Sequence, residues 1–89
     1  MGIPDAVADL DRAVAEFLAR GDDDNAKVLA AIFTLNNEIG RRLRPTGDEA
    51  LRALQLCVND VTVAAKIVNR RRLSTAMAKV RVSSSALSP

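Results

Sequence analysis

The sequence predicts an all-α protein: a three-helix bundle, or a helical hairpin carrying an extra N-terminal helix, with room for a short fourth helix. Three observations predict it. Apolar residues make up 48% of 89 residues, enough for a packed core, yet there are two Phe and no Trp or Tyr. The core must therefore be aliphatic and rich in Ala, the strongest helix former. Those apolar residues recur at spacings of three and four along three long stretches, and Gly, Asp and Pro interrupt the pattern near Gly21 and Pro45.

The first helix is expected over about 4–20. Pro4 suits a first turn, where its missing N–H has no partner to lose, and Asp5 suits the positive end of the helix dipole. Val7, Leu10, Val14, Phe17 and Leu18 fall on one face; Asp5, Asp9, Arg12, Glu16 and Arg20 fall on the other. Gly21 stops it. Asp22, Asp23, Asp24 and Asn25 follow as capping residues for the next helix; the fixed Gly and distal Glu of a calcium loop are missing.

The second helix, about 25–43, aligns Val28, Ala31, Ile32, Leu35, Ile39 and Leu43. Pro45 disfavours helical geometry at Arg44 and is expected to end the segment. Thr46 and Glu49 then read as a capping box opening a third helix over about 47–72. In it Leu51, Leu54, Val58, Val61, Ala65 and Val68 form a heptad-like seam, and Leu56, Val63, Ala64 and Ile67 extend the apolar surface to the flanks. A helix packed on one neighbour needs an apolar arc of about 100°, and this one offers about twice that. It is expected to be central between the other two helices or buried between subunits. Leu51, Leu54, Val58, Val61, Ala65, Val68, Val63 and Ile67 are accordingly the candidate oligomer interface. Leu73 breaks the pattern, and Ser74 could cap a short fourth helix over about 75–81. Residues 1–82 thus read as a single helical domain, and the Ser-rich 83–89 as a disordered tail.

Composition narrows the function classes. Without His, a Gly-rich phosphate loop or a nucleophile elbow, no catalytic constellation is legible, and a non-enzyme is expected. Cys57 alone cannot form an intrachain disulfide, and with carboxylates only it makes a poor zinc site; no cofactor or metal is expected. Cys57 itself reads as a small core residue. No apolar run reaches the roughly 18 residues of a membrane span, and the acidic N-terminus lacks the basic-then-apolar pattern of a signal peptide. A cytoplasmic location is the resulting expectation.

Charge is unevenly placed. Residues 1–38 carry eight acids and three bases, residues 39–89 ten bases and three acids, for a net charge of +2. Such asymmetry points to a polyanion or a head-to-tail partner, or to neutralisation of one half by the other within the fold. Arg41, Arg42, Arg44, Lys66, Arg70, Arg71, Arg72, Lys79 and Arg81 are the candidate polyanion contacts. A helix-turn-helix is disfavoured, because Asp48 and Glu49 would head the recognition helix and meet phosphate.

The stretch 45–80 loosely resembles the second helix of type III secretion needle subunits: a Pro- and Asp-containing turn, the Leu54-Gln55 pair, then Val58 and Thr62. It lacks the aromatic residues usual there. The wide apolar arc of the third helix and the split of charge fit helices that assemble side by side. The expected function is a non-catalytic helical interaction or assembly protein, acting as a homo-oligomer or on a helical partner. The alternative is a small nucleic-acid-binding or regulatory protein whose Arg clusters contact phosphates.

Overall fold

The computed structural model describes residues 2–87, and those residues form four helices and no strand. They are α1 (Ile3–Ala19), α2 (Ala26–Thr46), α3 (Glu49–Lys66) and α4 (Arg70–Ser85). Short connections reverse the chain three times, giving an up-down-up-down bundle with extents of 40 × 21 × 20 Å. Each helix packs on its two neighbours around a square: α1 on α2, α2 on α3, α3 on α4, and α4 back on α1. The fold is all-α as the periodicity predicts, but the fourth helix is a full member of the bundle rather than a short appendage.

Each boundary has a local cause. The Asp5 carboxylate accepts the Gly2 N–H at 3.4 Å, and Pro4 sits in the first turn of α1. Asp24 accepts the Ala26 N–H at 3.2 Å and opens α2. Pro45 does not end α2; it lies in the last turn, and the helix closes where Gly47, at φ 60°, donates to the Leu43 carbonyl at 2.7 Å. This left-handed closure favours glycine, which has no Cβ to clash. The expected capping box does not form. The Thr46 hydroxyl donates backwards to the Arg42 carbonyl at 2.7 Å, and Asp48 is the cap of α3, accepting the Ala50 N–H at 2.8 Å.

The largest departure is at the end of α3, which stops at Lys66 instead of running to 72. The chain turns through 67–69, and Asn69, rather than Ser74, caps the next helix by accepting the Arg72 N–H at 3.0 Å. Restarting the helix there places Leu73, Ala76, Met77 and Val80 at spacings of three, four and seven on one stripe, all of them buried. Residues 83–85, expected in a tail, are the last turn of α4; Ala86 and Leu87 follow it, and 88–89 lie outside the described residues.

One core joins all four helices: Ile3, Leu10, Val14 and Phe17 from α1, Val28, Ile32, Leu35 and Ile39 from α2, Leu51, Leu54, Val58 and Val61 from α3, and the α4 stripe. Among the described residues no charged or polar side chain is buried, so hydrophobic burial is the main stabilising term. Leu54 is fully buried and Leu56, two residues on, is 69% exposed. Truncating Leu54→Ala is therefore expected to cost about 2–5 kcal/mol in urea unfolding, and Leu56→Ala no more than about 0.5 kcal/mol.

Candidate interaction surface

The apolar seam of the third helix is occupied within the chain. Leu51, Leu54, Val58, Val61 and Ala65 are buried, and Val68 is half-buried against the same core. With two neighbours expected, the apolar arc of α3 was too wide; α4, folded back along it, supplies the missing cover. Within the single chain these six positions are covered by its own helices. Of the eight candidate interface residues only Val63 and Ile67 remain exposed, at 44% and 58%.

Those two do not stand alone. Leu56, Val63 and Ile67 are separated by seven and four residues, so they line up on the outward face of α3, opposite its buried seam. The stripe spans roughly 16 Å at 1.5 Å per residue. Phe33 on α2 and Val82 on α4, the helices flanking α3, are 68% and 71% exposed. Among the described residues α1 carries no exposed large hydrophobic side chain. The exposed apolar residues thus lie on α2, α3 and α4, with Val82 beside α3 along the groove between α3 and α4. That shallow groove is lined by Cys57, Thr75, Lys79 and Val82. Cys57 is half-buried there, less enclosed than its place in the sequence suggests.

The basic residues do not form one patch. Arg41, Arg42 and Arg44 sit at the end of the bundle where α2 finishes; Lys66 and Arg70, Arg71 and Arg72 sit at the other end, where α3 finishes and α4 begins. A helix length of roughly 25 Å separates the two sets. Several are also engaged internally. The Arg70 guanidinium donates to the Phe17 carbonyl at 2.9 Å and to the Asp22 carbonyl, and lies 4.6 Å from the centre of the Phe17 ring. It thereby closes the C-terminal end of α1, where free carbonyls and the dipole favour a cation. Arg72 pairs with Asp60 at 2.8 Å, Arg81 with Asp11 at 3.0 Å and Arg41 with Glu38 at 3.5 Å. Arg42, Arg44, Lys66, Arg71 and Lys79 have no ion pair among the described residues.

The charge split between the two halves of the sequence is in part resolved inside the fold, because α4 lies beside α1. Arg81 meets Asp11 across that contact, and Arg70 meets the end of α1. These contacts were not legible beforehand, since they depend on α4 returning to α1. Near Arg41 and Arg42, a depression of about 600 Å³ is lined also by Pro45, Leu51 and Leu87.

Within the run 70–72 the three arginines are expected to behave differently. Arg70→Ala removes two charge-assisted hydrogen bonds and a ring contact and should lower stability by about 1–3 kcal/mol in thermal or urea unfolding. Arg71→Ala should leave it within about 0.5 kcal/mol. Equal effects would contradict the assignment of Arg70 as the residue that closes α1.

The stretch 45–80, likened above to one needle-subunit helix, is the end of α2 and then two helices with a reversal between them. No family model matches the chain, and neither a curated protein nor a solved structure is found similar to it.

Proposed function

We propose that the protein is a non-catalytic helical interaction module that associates, with a second copy or with a helical partner, through the outward face of α3. The observation that supports this reading is the alignment of Leu56, Val63 and Ile67 on one exposed stripe, with Phe33 and Val82 exposed on the two flanking helices. Single exposed apolar residues are ordinary on any surface; three aligned along one helix face are a stronger sign of an apolar docking stripe.

The chemistry of such a face is helix-on-helix packing. A partner's apolar stripe would lie along α3, with Leu56 and Ile67 as its outer anchors and Arg52, Asn59 and Lys66 as the polar margin. Because the chain already closes its own core, association is not needed to complete the fold. Its strength is set by the exposed stripe alone, which fits a reversible contact more than an obligate one.

Light scattering across concentration tests this. The double variant Leu56→Asp with Ile67→Asp should keep the melting temperature within a few degrees and weaken association at least tenfold. Unchanged association would discard the outer face of α3 as the contact. Titration with duplex DNA in the same samples separates the other reading: binding that weakens steeply with salt, and that is lost on replacing Arg42, Arg44 and Arg71, would favour phosphate contact instead.

A further inference from the structure

The connection between α3 and α4 is three residues long and contains neither Gly nor Pro. It closes by the Asn69 N–H donating to the Ala64 carbonyl at 3.0 Å and the Val68 N–H to the Ala65 carbonyl at 3.2 Å. This pairing places Val68 at φ 55°, and no other non-Gly residue among those described has a positive φ. Helix ends of this kind normally put Gly or Asn at that position, and a β-branched side chain is poorly suited to it. The same residues are ordinary helix formers. If the chain continued as a helix, Val68 would return to favoured geometry, and the amides of Arg70 and Arg71, which open α4 without intrahelical acceptors, would gain the carbonyls of Lys66 and Ile67.

We propose that this turn is a hinge through which two copies of the chain exchange α4. Residues 49–85 become one continuous helix in each copy, and each α4 takes the place of its counterpart on the other bundle. What holds α4 in place is indifferent to which chain supplies it. Its buried stripe is Leu73, Ala76, Met77 and Val80, and its polar contacts are Arg72 with Asp60, Arg81 with Asp11, and Arg70 with the Phe17 and Asp22 carbonyls. Every one runs from α4 to α1, α3 or the loop after α1, and all of them re-form across the exchanged pair. Only the closure of the turn and the Asn69 cap are given up, and that closure holds the strained residue. Short hinge loops under strain favour such exchange.

Charge at the hinge end suits a second copy. The two bundles would meet through the end that carries Asp22, Asp23 and Asp24, all exposed, together with Lys66 and Arg71, which have no ion pair among the described residues. A two-fold arrangement lets the acidic loop of one copy approach the basic hinge of the other. In the exchanged pair the seam of Leu51, Leu54, Val58 and Val61 is an intermolecular surface after all, covered by the partner's α4. This inference does not depend on Leu56 and Val63, which lie on the other side of α3; Ile67 belongs to the hinge itself.

Cross-linking distinguishes the arrangements. In a Cys57→Ser background, Asp11→Cys with Arg81→Cys puts one thiol on α1 and one on α4, at positions whose side chains meet at 3.0 Å in the native pair. The protein is refolded at high and at low concentration, treated with a bismaleimide, and resolved on a denaturing gel. Exchange predicts covalent dimers after refolding at high concentration and internally bridged monomers at low concentration. Val68→Gly, which suits the turn and weakens the continuous helix, should raise the dimer dissociation constant roughly 100-fold, since two hinges act in each dimer. Asn69→Ala, which removes the cap of α4, should shift the balance toward dimer. Dimers by light scattering whose cross-links all lie within single chains would overturn exchange and leave the outer-face reading standing. Covalent dimers that persist with Leu56→Asp and Val63→Asp, both outside the hinge, would establish exchange as an association that does not use the outer face of α3. Protein that stays monomeric at every concentration would overturn exchange.

Discussion

The structure depends on α4 folding back along α3. α3 has apolar side chains over too much of its circumference to be covered by α2 alone, and a helix as short as α4, with its polar surface residues, would not be stable by itself in water. Each supplies what the other lacks. Burying Leu73, Met77 and Val80 contributes about 1.5–3 kcal/mol apiece on transfer grounds, and the same packing dries Leu54, Val58 and Val61. Once α4 is in place it also reaches α1, and the square of helices closes through Arg81 with Asp11 and Arg70 with the end of α1. Exposed ion pairs add little energy individually; their value here is in fixing which helix α4 meets and at what register.

The reversal that permits this is conformationally costly. Chains that turn sharply between helices usually place Gly at the left-handed position, as this one does at Gly47 between α2 and α3. Between α3 and α4 the same role falls to Val68. Burial of the α4 stripe therefore holds a turn that local preference would straighten. The two connections differ in kind: one is set by its own sequence, the other by the packing it leads to.

That difference explains what could be read from the sequence. α1 and the start of α2 were legible nearly to the residue, because their apolar stripes are clean and Gly21 marks the break between them, whereas α2 runs three residues past its expected end. Pro45 was misleading only in degree: it forgoes one hydrogen bond to the Arg41 carbonyl, and the helix ends one residue later at Thr46. The α3–α4 turn was not legible as a turn, since Lys66, Ile67 and Val68 carry no breaker signal and the seam from Leu51 runs through Val68 without a gap. The information was present one step further on, in Asn69 as a cap followed by Leu73, Ala76, Met77 and Val80 at helical spacing. Missing that restart made α3 look short of neighbours and turned its own core seam into an interface. Val63 and Ile67, expected on the flanks with Leu56, lie opposite that seam, and the exposure of Phe33 and Val82 was not singled out. No residue pattern announces exposure until the packing of all four helices is known. The basic residues were found by composition, but their division between two ends, and the capture of Arg70, Arg72 and Arg81 by neighbours, belong to the tertiary fold.

The surface that remains is sorted by helix. The α1 side is acidic and engaged with α4; α2, α3 and α4 carry the exposed aliphatic residues and Phe33. Backbone NMR on the monomeric fraction reports whether α4 returns onto α3 through a left-handed Val68. Cα chemical shifts should be helical through Lys66, lose helical character at Val68 and Asn69, and become helical again from Arg70, with nuclear Overhauser contacts from the Met77 methyl to α3 side chains. Uninterrupted helical shifts across 49–85 in a species of monomer mass, with no contacts between Met77 and α3, would contradict that return.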